Sequence, residues 1–547
     1  MSSYSKWYHP YKPATKFNQK VAYFSMEFGI DQALKTYSGG LGFLAGSHMR
    51  SAFENKQNLV GVGMLWKYGY YDQGRHADQT LLPHFVEKKY SYLDDPGITV
   101  KINIHGNDNV HVKAYCLKPE TFGTVPIYFL TTDLPENDHL SRTITDKLYD
   151  ANEMTRIAQS IVLGAGGAKV IEAIGGADIY HLNEGHGLPA FFYLKDKGYT
   201  KKNFVFTTHT PEKAGNEEKD IYLLNRMGFF SKQLTEEQMM KLTDNSGVLN
   251  YTVAAGRLSK ITNGVSKLHG KVSKDMWKSF NGMSKIISIT NSQNQKYWQD
   301  KKIMSFAEKG DIKNLQKRKN ELKAELIEEV ANQTGKMLDP EVLTIVWARR
   351  FAGYKRADLL LRDRNEFNEL VRNTKSPVQI VWAGKPYPFD NDAIDTFNYL
   401  IQETKNLPNC AILTGYELSL SRVLKNGADI WLNNPRITRE ASGTSGMTAA
   451  MNGAVNLSTD DGWIPEFAKN KKNAFVLPAL DHKLPHVTQD DLDAQNLYKI
   501  LKNDVLPLYY GKSAKWWEIV SKSVNDVIHE FESGRMAKEY YELMYSS

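Results

Sequence analysis

Four short apolar runs, LTIVWARR (343–350), VQIVWAGK (378–385), NCAILTG (409–415) and ADIWLNN (428–434), are separated by stretches with helical spacing. Unbroken apolar runs of this length suit strands covered on both faces, and such strands belong to parallel sheets flanked by helices. Strand–helix alternation sustained over about 160 residues therefore confines this part of the chain to a doubly wound α/β sheet. Ligands of such sheets bind at the carboxyl ends of the strands, so the residues following each run are the first place to look for chemistry.

The first half carries similar strand candidates in KVAYFSMEF, VPIYFLTTD and NFVFTTHT, interleaved with helical stretches such as RIAQSIVLGAGGAKVIEAIG. It reads as a second α/β unit. A polar helix within about 299–335, containing QKRKNELKAELIEEVANQ, marks the change from one unit to the other, and the tail KWWEIVSKSVNDVIHEFESGRMAKEYYELMY is amphipathic and helical. At 547 residues the chain exceeds what one core usually serves. Two Rossmann-like domains facing each other across a ligand cleft are the expected architecture, divided at 295/296.

The net charge of +7 is spread over scattered lysines, which gives no block for nucleic acid and leaves anionic small substrates as the natural use of the basic groups. Cys116 and Cys410 are too few for a disulfide framework, and no metal-ligand spacing of Cys and His occurs. The N-terminal stretch has no signal-like apolar core, and no run of 18 apolar residues occurs. A cytoplasmic protein without a membrane span or metal is expected.

Two glycine loops stand at the starts of helical runs. KTYSGGLGFLAGSH (35–48) places Gly39 and Gly40 where backbone N–H groups could meet an anion, although tight turns use glycine equally well. EASGTSGMTAAMNGA (440–454) follows the run ADIWLNN and precedes a helix-forming stretch, the setting of a phosphate cradle or of a plain helix cap. Between them, VWARRFAGYKRADLL puts Arg349, Arg350, Lys355 and Arg356 directly after a buried strand, where a planar guanidinium and an ammonium suit phosphate. HLNEGHG and FTTHTPEKAGNE add His181, Asn183, Glu184, His186 and His209, at a spacing that does not match a zinc helix.

Taken in order, YFSMEFG, YSGGLGFLAG, VGVGMLWKYGYYDQ, HLNEGHG, FTTHTPEKAGNE, NGVSKLHGKVSKDMW, WARRFAGYKRADLL, AGKPYPFD and EASGTSGM resemble the α-glucan phosphorylase family, in particular its compact bacterial and archaeal branch. The resemblance implies a GT-B fold whose C-terminal helix, about 520–547, returns to the first domain, leaving 296–519 as the second. It implies that Gly39, Gly40, Arg350 and Lys355 meet the phosphate, that Arg349 contacts the cofactor's phosphate, and that Thr444 contributes a phosphate-facing hydroxyl. Asn291, Tyr354, Glu440, Ser442 and Gly443 match groups that bond glucose hydroxyls. His209 matches the histidine whose main-chain carbonyl faces the anomeric centre, a dipole suited to oxocarbenium-like charge. Homodimers are common in the family.

One position departs from the family's pattern. Where the family carries the lysine that attaches pyridoxal phosphate, this chain has Thr448, which has no amine, and 441–467 contains no lysine at all. ITNSQNQ (289–295), where a TNGV-type turn is expected, is a second departure and touches Asn291. The expectation is a retaining glycosyltransferase without pyridoxal phosphate. A nucleotide sugar would then be donor and an α-glucan or other carbohydrate acceptor, with Arg349, Arg350, Lys355 and the amides of Gly443, Thr444, Ser445 and Gly446 holding the diphosphate, and Arg350 and Lys355 stabilising the leaving-group charge. Two alternatives stay open: a phosphorylase binding pyridoxal phosphate noncovalently and releasing a sugar phosphate, and a non-catalytic glucan-binding relative.

Overall fold

A computed structural model describes residues 7–211, 215–511 and 514–546. Part of FTTHTPEKAGNE, at 212–214, lies outside these residues. The fold is α/β, as in GT-B proteins, and the chain divides into two compact units.

The chain enters unit 1 through β1 (Val21–Phe24), α1 (Gly40–Glu54) and β2 (Leu59–Met64), then leaves it for a hairpin, β3 (Asp72–Arg75) and β4 (Leu81–His84), that belongs to unit 2. It returns as β5 (Thr99–Ile104), β6 (Asn107–Leu117), β7 (Ile127–Thr131), β8 (Ile179–Asn183) and β9 (Phe204–Thr208). A small antiparallel ribbon of β10 (Glu218–Asp220) and β11 (Val248–Asn250) precedes β12 (Ile261–Gly264) and β13 (Lys285–Ser288). Among the described residues the main sheet runs β13-β12-β9-β8-β1-β2-β7-β6-β5, parallel except for its β7-β6-β5 edge. β1 lies between β2 and β8, pairing Val21 with Leu59 on one side and with Ile179 on the other. The connections leaving β1 and β8 therefore diverge, and a switch of this kind opens a crevice at the strands' carboxyl ends.

Unit 2 is built on β14 (Leu343–Ala348), β15 (Val378–Ala383), β16 (Cys410–Leu413), β17 (Ile430–Asn433), β18 (Val455–Ser458) and β19 (Ala474–Val476). All six pair in parallel in the order β16-β15-β14-β17-β18-β19. Every residue of β14 and β15 is buried, and Trp347 pairs with Trp382 across them, which explains why these runs read as unbroken apolar sequence. The order reverses between β14 and β17, so the loops after those two strands, 349–358 and 434–443, flank this unit's switch point.

The polar helix α2 (Ile312–Thr334) is capped by the Asp311 carboxylate at its start and by Gly335, at φ 71°, at its end. Its buried Lys319 donates to the carbonyls of Asn426, Ala428 and Asn452 at 2.5, 2.9 and 3.0 Å. Burial lowers this amine to about 7. Lys319→Met is expected to lower stability by about 2–4 kcal/mol, since three buried carbonyls lose their donor. Between the folded value near 7 and the unfolded value near 10.5 the unfolded chain binds more protons, so wild-type stability rises with pH across that window. Urea titrations at pH 7 and 9.5 should show that slope in the wild type and a shallower one in the variant.

Three further helices carry the site or close the chain: α3 (Leu418–Gly427), α4 (Thr444–Met451) and α5 (Lys515–Phe531), followed by α6 (Ser533–Tyr540). The tail helix expected at about 520–547 is two helices broken at Glu532, and only Ser533–Ser547 joins unit 1, where Tyr540, Tyr541, Met544 and Tyr545 enter its core. Unit 1 also ends at Asn291 rather than 295 and gives up 72–84. The hairpin belongs to unit 2 because its side chains serve loops there. Gln73 donates to the Gly384 carbonyl at 2.8 Å and accepts the N–H groups of Gly415 and Tyr416 at 2.9 and 3.1 Å.

Candidate active site

The basic residues after β14 meet Glu440, at the end of the loop that follows β17. Arg349 Nη2 and Lys355 Nζ each lie 3.0 Å from Glu440 Oε2, and Lys355 is 3.1 Å from Oε1. Burial would raise the Glu440 carboxyl, but Lys355 and Arg349 outweigh it and hold it at about 2. Arg349 is 4% exposed, and its Nε and Nη1 have no hydrogen-bond partner among the described residues. A buried guanidinium keeps such donors idle only at a cost, so they mark a place for an anion. Ser442 Oγ is likewise buried and without a partner.

Arg356, called part of the same basic run, does something different. It takes the left-handed conformation at φ 51°, donates to the carbonyls of Asn434 and Pro435 at 2.8 and 3.0 Å, and pairs with Asp490 and Asp493. It thereby ties the two switch-point loops together and fixes the turn that presents Lys355. Asp461 completes the frame by accepting the Glu440 N–H at 2.9 Å, and burial pushes its own carboxyl up to about 7.

Gly443 precedes α4 at φ 98°, where a Cβ would be strained and would stand 3.1 Å from Trp463. This glycine is required by its turn. The N–H groups of Thr444 and Ser445 open the helix and donate to no acceptor among the described residues. One turn on, Thr448 is 1% exposed, and its hydroxyl bonds back to the Ser445 carbonyl at 3.0 Å. Arg349 and the α4 amides are the groups that would hold the phosphate of pyridoxal phosphate, whereas its aldehyde would find no amine at 448. A buried amine does stand on α3, where Lys425 Nζ is 3.8 Å from the centroid of the Trp298 ring. Asn452 links that tryptophan to α4, donating to the carbonyls of Trp298 and Thr448 at 2.9 Å each.

In unit 1, Asn183 ends β8 and Glu184 follows it, and His209 follows β9. His209 Nε2 lies 2.7 Å from Asn183 Oδ1, while its backbone N–H donates to Glu184 Oε1. Burial, with His269 adding to it, lowers the His209 ring to about 3, so the ring is neutral at ordinary pH. Glu27, after β1, accepts the N–H groups of Ser38 and Gly39 at 2.7 and 3.2 Å.

That last contact corrects one expectation. A phosphate cannot share the Gly39 N–H with the Glu27 carboxylate, so of the glycine pair only Gly40, exposed and donating to no acceptor among the described residues, keeps its amide for an anion. A Cβ at either glycine would meet nothing within 4 Å, and neither has positive φ, so no turn or packing demand explains them.

The sequence-predicted residues fall into two groups. Arg349, Arg350, Tyr354, Lys355, Glu440, Ser442 and the 443–446 turn belong to unit 2; Gly39, Gly40, His209 and Asn291 belong to unit 1. Arg350 is exposed and reaches Glu440 through its charge. Asn291 is buried at the end of unit 1, with Oδ1 lacking a partner among the described residues. Sequence reading gave no part to Glu27, Asp461 or the bracing by Arg356. The signal available for Glu27 was a carboxylate three residues past the end of a buried apolar strand, in YFSMEFG.

Comparison with known proteins gives the chain's family. The Carbohydrate phosphorylase family pattern matches residues 249–506. The chain is 48% identical to an uncharacterized protein of Methanocaldococcus jannaschii, over 96% of this chain and 99% of that one. It is 33% identical to the maltodextrin phosphorylase of Thermococcus litoralis, over 100% of this chain and 72% of the relative. With the glycogen phosphorylase of Aquifex aeolicus it shares 30% identity over 100% of this chain and 88% of the relative. The chain belongs to the carbohydrate phosphorylase family.

Proposed function

We propose that the protein is a retaining glycosyltransferase that moves a hexosyl unit from a nucleoside-diphosphate sugar to an α-glucan or related carbohydrate, without pyridoxal phosphate. The observation that carries this reading is Arg349, buried with two idle donors beside the Lys355–Glu440 pair. As the bond from the anomeric carbon to the leaving phosphate oxygen breaks, that oxygen takes the electron pair, and Arg349, Lys355 and the α4 amides stabilise its charge. In unit 1, the His209 carbonyl is a dipole of the sign suited to the positive charge that develops on a reacting sugar. The acceptor hydroxyl forms the new bond on the same face and gives its proton to the departing phosphate. Within unit 2, Glu440, Tyr354 and Ser442 orient the sugar. The relatives' names, maltodextrin and glycogen phosphorylase, support a glucan as acceptor.

Binding of the leaving group is testable without knowing the acceptor. Uridine, adenosine or guanosine diphosphate at a hundred times its Kd should add about 2.7 kcal/mol of stability in a thermal-shift series. No stabilisation by any of the three would remove this donor class.

A second reading, phosphorolysis with pyridoxal phosphate, is favoured by one observation: buried Lys425 beside Trp298, whose amine burial shifts well below its usual value. An amine whose charged form is disfavoured by burial is a better partner for an aldehyde than an ordinary ammonium. Pyridoxal absorbance retained by the purified protein, and a borohydride-fixed mass on the Lys425 peptide, would establish this reading against the first. Thr448→Lys is expected to restore attachment at 448, read as a borohydride-resistant adduct on α4. A pure glucan binder has no use for an anion clamp, which argues against the third possibility.

A further inference from the structure

Glu184 follows β8 at φ 68° and ψ 169°. Only glycine occupies that region without strain; other residues hold it at a cost, and only where their surroundings over-determine it. Three contacts do so here. Its N–H donates to the Thr207 carbonyl at 2.9 Å, and its Oε1 accepts both the His209 N–H and, at 3.3 Å, the Thr210 hydroxyl.

Further polar groups of the dipeptide His209–Thr210 are engaged as well. The His209 ring meets Asn183, the Thr210 N–H donates to Thr208 Oγ1 at 3.2 Å, and the Thr210 carbonyl lies 3.0 Å from His269 Nε2. The exception is the carbonyl of His209, which accepts no hydrogen bond among the described residues. The fixed groups around it leave this carbonyl as an acceptor in reserve.

We propose that Glu184 is a positioning residue: its strained backbone and its carboxylate lock residues 208–210 so that the His209 carbonyl is held ready for the reacting sugar carbon. The inference rests on the role given to His209 above. Glycine at 184 would adopt the backbone without strain, so a glutamate there points to its carboxylate.

The lock is also sensitive to pH. Burial pushes Glu184 up to about 7, opposed by the bonds from His209 and Thr210 and reinforced by the charge of Glu217. Glu217 is itself paired with Arg156 and lies 3.4 Å from His186. The His209 and His269 rings, lowered by burial to about 3 and about 4, stay neutral throughout this range. An ionised carboxylate accepts both bonds more strongly than a carboxyl group does, so the lock tightens as pH rises through about 7.

Two variants and two readouts test it. Glu184→Gly removes strain and carboxylate together. It is expected to keep or raise Tm, to increase deuterium exchange of the 204–211 segment in the protein without substrate, and to lower kcat about 100-fold with KM changed less than about threefold. Glu184→Gln keeps an acceptor but cannot ionise; it should retain kcat within about tenfold and lose the limb near pH 7 from the kcat profile. Unchanged exchange in the glycine variant overturns the inference, as does a wild-type kcat there or a wild-type pH limb in the glutamine variant. If the wild type transfers no hexosyl from any phosphate-linked donor, the functional reading falls, while the exchange measurement still decides the lock.

Discussion

Lys355→Ala is expected to lower kcat by about 10²–10³-fold, the range found when one preorganised donor to a developing oxyanion is removed. The ammonium is suited to this role because it is held rather than free: Glu440 takes two of its contacts, and the turn ending at Arg356 fixes its stem. Loss of the amine leaves Glu440 still compensated by Arg349 at 3.0 Å, so stability should fall by only about 1–2 kcal/mol. Arg350→Ala should also slow turnover, by a smaller and more salt-sensitive factor, because that guanidinium is exposed and acts through its field. Steady-state transfer assays over a range of donor concentrations separate the cases. A fall in kcat at nearly constant KM places Lys355 in the transition state, and unchanged turnover in the alanine variant would refute the leaving-group role.

The second unit's strands were legible because parallel strands buried on both faces leave unbroken apolar runs, and the basic cluster could be placed at their carboxyl ends because Arg349 directly follows one. The division between units was less legible. The hairpin at 72–84 gives no compositional sign that it serves another unit; Gln73 is the residue that commits it, through backbone groups of Gly384, Gly415 and Tyr416 that no local pattern reveals. The tail read as one helix because its apolar spacing continues through Glu532, yet the chain there is extended at φ −88° and ψ 131°. Within the site, residue types announced charge but not pairing. From sequence, Arg356 and Lys355 are equivalent members of a basic run, and only burial against Asp490 and Asp493 shows that one is a brace. Glu184 was visible as a carboxylate after a strand, but its backbone strain is a property of three-dimensional closure and leaves no mark in composition.

Glu440→Gln should change stability by about as much as Lys319→Met. The carboxyl moves from an ordinary 4.5 to about 2 on folding, with 9% of the residue exposed. By linkage such a shift corresponds to about 3 kcal/mol at neutral pH. The sign follows from the depression: this stability is present above the unfolded value near 4.5 and is lost as pH falls through about 2. Denaturant titrations at pH 7 should therefore separate wild type and variant by about 3 kcal/mol, and titrations at successively lower pH should bring them together. The same variant tests what the cations are for. With Glu440 neutral, Arg349 and Lys355 lose their internal counter-charge, so inorganic phosphate should stabilise the glutamine variant more than the wild type, in proportion to its tighter binding. Equal stabilisation of the two proteins would mean that the anion sits elsewhere, and that the idle guanidinium donors of Arg349 are not its receptor.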